Sequence, residues 1–397
     1  MNKFKSLKSE GLCFLCLLVF AFFMYSFCYQ SEGNSNVGFN VKHGIVYYED
    51  SVFCGWPANH GIWSWGDEIL VGFVRAKHME KSGHTYDQKT SRDYYARSVN
   101  SGNSWKIESA FDNGQKGWRY NNQITNDLAV SPRALTDSID FLHPDFAITF
   151  QRETNNIGPS HFYFTYNRGI TWIGPFMISN MGTNGIATRT DYIIDDNRTL
   201  TAFFTVAKTN NREGRILCVR TSDGGITWEK VSWVGNEPEG FDIMPSSVRL
   251  SSQRLLTAIR SRKENGQDFI SAYNSDDNGQ TWTRIKDPVA DTGRGGSPPA
   301  LVRLTDGRLA LAYIYRSKYG SRVNVRFSEN EGASWSDEII LRCCDGANTD
   351  VGYPKMIQLK DGKLMVIYYW NNSGLVDSKP YRYIANTIFD PTETNLK

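Results

Sequence analysis

The stretch Thr221-Ser-Asp-Gly-Gly-Ile-Thr-Trp228 is one of five copies of an eight-residue motif, Ser/Thr-x-Asp/Asn-x-Gly-x-Ser/Thr-Trp. The other four copies occupy residues 98–105, 165–172, 275–282 and 328–335. Their tryptophans recur every 53–67 residues. Repeats of this length are typical of solenoids and propellers, in which each repeat is one supersecondary unit. The motif therefore predicts an array of similar sheets rather than several unrelated domains.

The residues that recur in the copies of the motif have physical roles. The third residue, Asp223 in this copy, can accept hydrogen bonds from backbone N–H groups two residues further on and so close a turn. The fifth residue, Gly225, can adopt a positive φ without steric cost. The final residue, Trp228, supplies a large apolar wedge for the seam between neighbouring sheets. We expect each copy to be a rigid hairpin turn that anchors one sheet to the next.

The chain between the motifs is a series of short strands broken by Gly, Asp and Asn. The clearest series runs through residues 297–304, an Asp306-Gly307 turn, 308–315 and 322–327, and ends in the fifth motif. This order predicts four strands per unit, with the motif between the third and fourth. A sixth unit begins near Gly352 and lacks the motif. We expect residues 43–48 to supply its outer strand and close a ring, which leaves only short protected edges.

The motif closely resembles the Asp-box of the sialidase superfamily, whose members are six-bladed β-propellers. The resemblance implies an all-β, six-bladed propeller over residues 42–391. Composition agrees with an all-β protein rich in turns, because the chain has 34 glycines, 13% aromatic residues and only 22% charged residues.

The N-terminus has the pattern of a secretory signal. Lys3, Lys5 and Lys8 precede an apolar run over residues 12–27. We assign residues 1–29 to a signal peptide or N-terminal anchor and residues 30–41 to a linker, with lipid attachment at Cys28 as an open alternative. The protein is thus expected to be secreted, periplasmic or held at the cell surface.

Charge and composition restrict the partners. The formal net charge is only +2, with no long basic run, which argues against nucleic acid as a partner. We expect no membrane contact beyond a possible N-terminal anchor, no metal and no cofactor. The expected partner is an acidic oligo- or polysaccharide, bound by a monomer.

The predicted site lies on the face opposite the motifs, where first strands start and second strands end, because closed β architectures bind ligands at such mouths. Four of the six histidines fall at these strand ends in the first two units: His60, His78, His143 and His161. We expect His60, His143 and Tyr353 to be catalytic. The expected substrate-binding residues are His78, Arg75, Arg152, Arg189, Arg262 and Arg316.

The resemblance to sialidases implies an Arg-Ile-Pro segment in the first blade, three arginines that clamp a carboxylate, an Asp acid and a Tyr/Glu nucleophile pair. Gly352-Tyr353-Pro354 resembles the site of the nucleophilic tyrosine. The first blade instead has Trp56-Pro-Ala-Asn-His60-Gly-Ile-Trp63, and no clear clamp is recognisable. Sialidase-like propellers also include lyases of uronate-containing algal glycans such as ulvan, which are similar to this chain in using His, Tyr and Arg.

Three functions follow as hypotheses. The first is β-elimination from a uronate, by a lyase or a dehydratase, with arginines holding the carboxylate and His or an acidified Tyr moving protons. The second is exo-acting glycoside hydrolysis of the sialidase type. The third is glycan binding without catalysis, through tryptophans that stack on sugars: Trp63, Trp65, Trp118 and Trp370.

Overall fold

A computed structural model of the protein describes residues 40–109, 131–346, 348–371 and 381–393. The predicted signal segment 1–29, most of the linker and Trp118 lie outside the described residues. The chain divides into a compact unit, Val41–Pro391, and a second unit made of Met1–Asn40 and Thr392–Lys397, of which only Asn40, Thr392 and Glu393 are described. No described helix is long and apolar enough to cross a membrane.

The unit Val41–Pro391 is a six-bladed β-propeller, as the motif spacing predicted. All strand pairs within its six sheets are antiparallel. The strands of the first three blades are β2 (Val52–Gly55), β3 (Ile62–Trp65), β4 (Glu68–Lys77), β5 (Arg92–Ser98) and β6 (Lys106–Ser109); β7 (Ala147–Arg152), β8 (Ser160–Thr165) and β9 (Ile173–Met177); β10 (Tyr192–Ile194), β11 (Leu200–Ala207), β12 (Glu213–Thr221) and β13 (Glu229–Trp233).

The last three blades each contain four strands. They are β14 (Phe241–Arg249), β15 (Leu255–Arg262), β16 (Asp268–Ser275) and β17 (Thr283–Arg284); β18 (Ala300–Arg303), β19 (Leu309–Tyr315), β20 (Ser321–Ser328) and β21 (Ile339–Gly346); β22 (Gly352–Gln358), β23 (Leu364–Trp370), β24 (Tyr383–Phe389) and β1 (Lys42–Tyr47). The helical turns described are α1 (Pro57–His60) and a 3₁₀ turn (Gln88–Thr90).

The ring closes as expected. Strand β1 pairs antiparallel with β24, with Lys42 opposite Ile388 and Gly44 opposite Asn386. The outer strand of the sixth blade therefore comes from the start of the domain, and the other three strands come from its end. Both ends of the propeller are held by one sheet.

The five motifs form the predicted turns, with one correction to their hydrogen bonding. In every copy the first hydroxyl accepts a bond from the Gly N–H at 2.7–3.1 Å. The third residue accepts from the N–H four residues on, not two, at 2.8–3.0 Å. The glycines have φ of 78–88°. The side chains of the first and third residues thus hold the loop by accepting backbone hydrogen bonds. The positive φ at the centre of the loop favours glycine.

The motif tryptophans fill the seams between blades. Trp172, after β8 of the second blade, stacks on Tyr95 of the first blade with ring centroids 5.6 Å apart. Trp228 meets Phe150 and Phe162 of the second blade at 5.6 and 5.8 Å. The second and third blades are therefore each joined to the one before by an aromatic cluster that includes a motif tryptophan.

The second blade departs from the predicted pattern. Its described strands number three, and the residues before β7 form a turn instead of an inner strand. This segment bonds to the third blade, where Ile139 N–H donates to Gly224 O and Phe141 N–H to Asn197 O. It therefore runs along the motif face, with consequences for His143 that are described below.

Candidate active site

A helical turn interrupts the inner edge of the first blade. Strands β2 and β3 both pair with β4, and α1 lies between them. Trp56 has a left-handed backbone (φ 62°), and Pro57 at the first helical position has its φ preset for the turn. Ala58 packs with Ile243 and Met244 of the fourth blade. This contact across the ring places α1 at the centre of the propeller.

Tyr353 stands at the start of β22, close to α1. Its backbone has φ 54°, a left-handed conformation uncommon for a tyrosine. The Arg260 guanidinium donates from Nη1 to the Tyr353 hydroxyl at 3.3 Å, and the Arg316 guanidinium lies 5.5 Å from the ring centre. The side chain is only partly buried. A tyrosine is thus held in an uncommon backbone geometry with cations beside its hydroxyl and its ring.

Three arginines from three blades act on the Tyr353 hydroxyl. Burial by itself raises the pKa of Tyr353, but the charges of Arg260, Arg316 and Arg189 and the Arg260 hydrogen bond lower it by more. The net result is a pKa below the ordinary value of 10.0. The sequence offered no recognisable arginine clamp; the structure assembles three arginines from the third, fourth and fifth blades.

Among the residues that the structure describes, no carboxylate hydrogen-bonds the Tyr353 hydroxyl. The neighbour beyond Arg260 is Met244, whose Sδ lies 3.7 Å from Arg260 Nη1. Arg260 also donates to Gly295 O, and Arg316 donates to Val351 O at 2.8 Å. The Tyr/Glu pair implied by the sialidase resemblance is therefore replaced by a tyrosine whose described polar neighbours are cationic.

A cavity of about 700 Å³ opens beside Arg316. Its polar centre is Asp350, which accepts from Tyr369 Oη at 2.8 Å and lies 2.6 Å from His84 Nδ1 and 3.0 Å from Arg382 Nε. Burial raises the pKa of Asp350, but contacts with His84, Arg382 and Tyr369 outweigh it, so the pKa falls below its usual value. The His84 side chain is 45% exposed at this cavity.

A second polar cluster surrounds His60. Its Nε2 lies 3.7 Å from Asp93 Oδ1, and Gln151 Nε2 donates to Asp93 Oδ2 at 3.2 Å. Burial, aided by the charge of Arg152, lowers the pKa of His60 to about 3. Burial raises the pKa of Asp93 to about 8, although Arg152 and Gln151 oppose it. At neutral pH both side chains are mainly uncharged.

Two of the predicted substrate-binding arginines, Arg189 and Arg316, lie beside Tyr353. A third, Arg152, belongs to the His60 cluster. Arg189 and Arg316 influence Tyr353 directly, and Arg189 Nε donates to Asn59 of α1 at 3.2 Å. Arg152 is buried beside His60 and Asp93 and donates to Asn155 at 2.8 Å. Tyr353 occupies the predicted position at a first-strand start.

The prediction that His143 lies at the mouth opposite the motif face was wrong. Its ring lies 4.5 Å from that of Tyr166, a residue of the second motif, and its Nδ1 accepts from Asp145 N–H. Asp145 in turn pairs with Arg168 of the same motif. Because the segment before β7 is a turn on the motif face and not an inner strand, His143 lies at the opposite end of the sheet from the predicted mouth.

Three further predicted residues have partners away from Tyr353. Arg75 forms a two-pronged ion pair with Glu49. His78 Nε2 lies 2.7 Å from Glu80. Arg262 pairs with Asp268 through Nε at 2.8 Å and Nη2 at 3.0 Å. These contacts give Arg75 and His78 carboxylate partners away from Tyr353 and its neighbouring arginines.

Sequence reasoning missed His84 altogether. Arg260 and Asp350 lie at a second-strand end and a first-strand start, as expected for the predicted face, but they were not chosen as site residues. Arg260 and Arg262 point to the same side of β15, since they are two residues apart, and only their depth along the strand distinguishes them. His84 lies in the long connection between β4 and β5, which has no periodic signal. Asp350 precedes Tyr353 by three residues, and that proximity was a further indication.

Comparison with known proteins agrees with this architecture. Residues 94–366 match the model of the BNR repeat-like domain. The chain belongs to the BNR repeat-like domain family. No curated protein sequence matches this family member significantly.

Solved structures share the fold of this BNR repeat-like protein at low sequence identity. A protein of unknown function from Dyadobacter fermentans has a TM-score of 0.65 and 18% identity, with 88% of this chain and 99% of that chain covered. The NanB sialidase of Streptococcus pneumoniae has a TM-score of 0.57 and 11% identity, with 88% and 71% covered. An α-L-arabinanase of Penicillium chrysogenum has a TM-score of 0.54 and 12% identity, with 87% and 98% covered.

No group of three or more His, Cys, Asp or Glu side chains within the described ranges is arranged to hold a metal ion.

Proposed function

We propose that this protein is a carbohydrate-active enzyme that cleaves or dehydrates uronate-containing glycans by β-elimination. The observation that carries the proposal is Tyr353, a partly buried residue whose pKa is lowered by three arginines and whose hydroxyl accepts no hydrogen bond from a carboxyl group among the described residues. Such a phenol can itself serve as the base. The surrounding guanidinium groups suit a carboxylate, which they bind through charge-assisted hydrogen bonds.

The proposed reaction conserves atoms and charge. The substrate carboxylate lies against Arg260 and Arg316, which stabilise the negative charge that develops when C5 loses its proton. The Tyr353 phenolate takes that proton, the C5–H electron pair forms the C4=C5 bond, and the C4–O bond breaks with its electrons on oxygen. A proton passes to that oxygen from His84, which Asp350 orients at the cavity beside Arg316.

His60 and His143 have no proton-transfer role in this proposal. His60 is buried with a pKa of about 3, so it would be a weak base and is remote from solvent. His143 lies on the motif face. His60 instead supports α1 by packing against Gly72 of β4. The contact is so close that a Cβ on Gly72 would lie 2.5 Å from His60 Cβ.

A second candidate is an exo-acting glycosidase of the sialidase type. The convergence of three arginines on Tyr353 favours it, because that set corresponds to the carboxylate clamp and nucleophilic tyrosine implied by the resemblance. The lowered pKa of Tyr353 would serve a nucleophilic phenolate as well as a basic one, so the acidity of this residue does not decide between the two reactions. The solved hydrolases that share the fold support carbohydrate chemistry in general without deciding between the two reactions.

Two of the four tryptophans expected to stack on sugars are unsuited to that role. Trp63 and Trp370 are buried, with exposures of 7% and 0%, so they offer no face to a sugar. Trp370 instead packs under the Arg342 guanidinium at 4.8 Å.

The test is chemical. The purified protein is incubated with uronate oligosaccharides and, separately, with sialosides and arabinosides. Elimination gives a conjugated unsaturated uronate that absorbs in the ultraviolet and contains no oxygen from labelled water. Tyr353→Phe should lower the rate about 10²–10⁴-fold, whereas Tyr166→Phe on the motif face should not. A saturated product carrying labelled oxygen would refute elimination and favour the glycosidase, and binding without turnover would refute both.

A further inference from the structure

A glycine-rich loop between the fourth and fifth blades is held against the arginine cluster, which consists of the arginines around Tyr353: Arg189, Arg260 and Arg316. Gly293, Gly295 and Gly296 have φ of 73°, 82° and 61°. A Cβ on Gly293 would lie 2.1 Å from the Arg316 carbonyl oxygen, so only glycine permits this approach. Gly295 N–H donates to Asp268 at 3.0 Å, and Gly295 O accepts from Arg260. The loop backbone is therefore held from both sides.

Arg294 stands in the middle of this loop. Its backbone N–H donates to Arg316 O at 2.9 Å, while its side chain is exposed. Within the described part of the chain, the Arg294 guanidinium has no hydrogen bond or ion pair, in contrast to Arg260, Arg262 and Arg316. A rigid backbone thus presents a cation with unused donors next to the proposed catalytic cluster.

Arg294 lines two cavities at once. One is the cavity of about 700 Å³ that also contains Arg316 and Asp350. The other, of about 450 Å³, contains Arg262 and Asp268. Arg262 also lines a third cavity of about 700 Å³ that contains Trp282. Neighbouring cavities share lining residues, so they form a row across the sixth, fifth and fourth blades. Ligand sites commonly have volumes of about 300–1,000 Å³ each.

We infer that the site binds an extended acidic oligosaccharide, with Arg294 contacting the carboxylate or sulfate of the sugar next to the one at Tyr353. The inference rests on the proposed function and adds to it a second anionic subsite. A single sugar would leave the row of cavities and the Arg294 guanidinium unused. A backbone already ordered by its glycines and by Arg260 reduces the entropy lost on binding, which favours recognition at this position.

The experiment compares two matched tetrasaccharides that share the uronate bound at Tyr353. In one the neighbouring sugar is anionic, and in the other it is neutral. Affinities are measured by calorimetry on Tyr353→Phe, to suppress turnover, with and without Arg294→Ala. We expect the anionic ligand to bind about 10-fold more tightly than the neutral one, as for a hydrogen bond to a charged group. Arg294→Ala should abolish this difference and leave the neutral ligand unchanged.

Arg198→Ala is the matched control, because Arg198 is also an exposed arginine but lies in the turn between β10 and β11 on the motif face. It should preserve the 10-fold preference. Equal affinity for the two ligands without the Arg294 change would overturn the inference, as would an equal loss for both ligands in Arg294→Ala. If the charge preference holds but the active protein produces no unsaturated sugar, the subsite stands and the elimination proposal fails. Failure of both ligands to bind would overturn both.

Discussion

At the residue scale, Tyr353 combines an uncommon backbone with an altered acidity. If its phenolate is the base, the ascending limb of activity against pH should have an apparent pKa below 10.0. Arg260→Gln removes a cation that stabilises the phenolate, so the pKa of Tyr353 rises and the activity limb should move to higher pH. Arg260→Lys keeps the charge and should move it less. The measurement is kcat/KM against pH, and an unmoved limb in Arg260→Gln would count against the phenolate.

The buried Asp93 makes a separate prediction about stability. Its pKa is about 8 in the folded protein against 3.8 ordinarily. Between these values the folded state holds a proton that the unfolded state has lost, so the stabilisation present below pH 3.8 is lost as pH rises toward 8. Asp93→Asn should therefore become increasingly stable relative to the unmodified protein over this range, by at most about 1.4 kcal/mol per pH unit.

Urea unfolding at pH 5, 6, 7 and 8 measures this difference. Asp361→Asn is a suitable control, since Asp361 lies in a surface turn and its pKa is lowered chiefly by a hydrogen bond from Lys363. A stability difference between Asp93→Asn and the unmodified protein that does not change with pH would show that Asp93 is ionised in the folded state.

The sequence predicted individual site residues where strand order alone decides their position. Tyr353, Arg189 and Arg316 were expected to lie together because a first-strand start or second-strand end must lie at the mouth of a propeller. The structure brings them together, and their roles remain predictions. Arg260 was missed in favour of Arg262, since strand periodicity gives the side of a residue but not its depth. His143 failed for a different reason: the pattern around it was taken as an inner strand, whereas that segment bonds to the next blade.

At the scale of the element, each motif turn depends on its tryptophan more than on any one hydrogen bond. Trp228 is 5% exposed and packs between Phe150 and Phe162. Trp228→Ala should lower the free energy of unfolding by about 3–5 kcal/mol, as for other buried aromatic truncations. Thr221→Val removes the acceptor for Gly225 N–H and should cost about 1–3 kcal/mol. Denaturant unfolding compares them, and a larger loss in Thr221→Val would contradict this ranking.

The motif turns were also the elements that sequence analysis described best, because their geometry is local. Positive φ at the glycine and the tryptophan seam both followed from residue types within eight positions. The helical turn α1 did not, since Trp56-Pro57 begins a turn that only contacts with the fourth and sixth blades fix at the centre. Elements stabilised across the ring carry little signal in their own sequence.

At the scale of the whole molecule, stability depends on the closure of the sixth blade. Gly44 of β1 lies opposite the buried Asn386, and a Cβ on Gly44 would be 2.2 Å from Asn386 Oδ1. Gly44→Ala should therefore destabilise the propeller by about 1–3 kcal/mol, through displacement of Asn386. Ile45→Ala, at a position 49% exposed, should have little effect. The melting temperatures of both variants and the unmodified protein are measured by thermal unfolding. Equal melting temperatures for Gly44→Ala and the unmodified protein would argue against tight closure.

The pairing of β1 with β24 also fixes an order of events during biosynthesis. The ribosome makes β1 before any complete blade and β24 after all the others, so the first strand has no partner while nearly the whole domain is synthesised. An unpaired strand edge is a template for aggregation. A nascent chain released early would carry an incomplete sixth sheet, and its ring could not close. Only a chain that extends through β24 can therefore reach the closed form of the propeller.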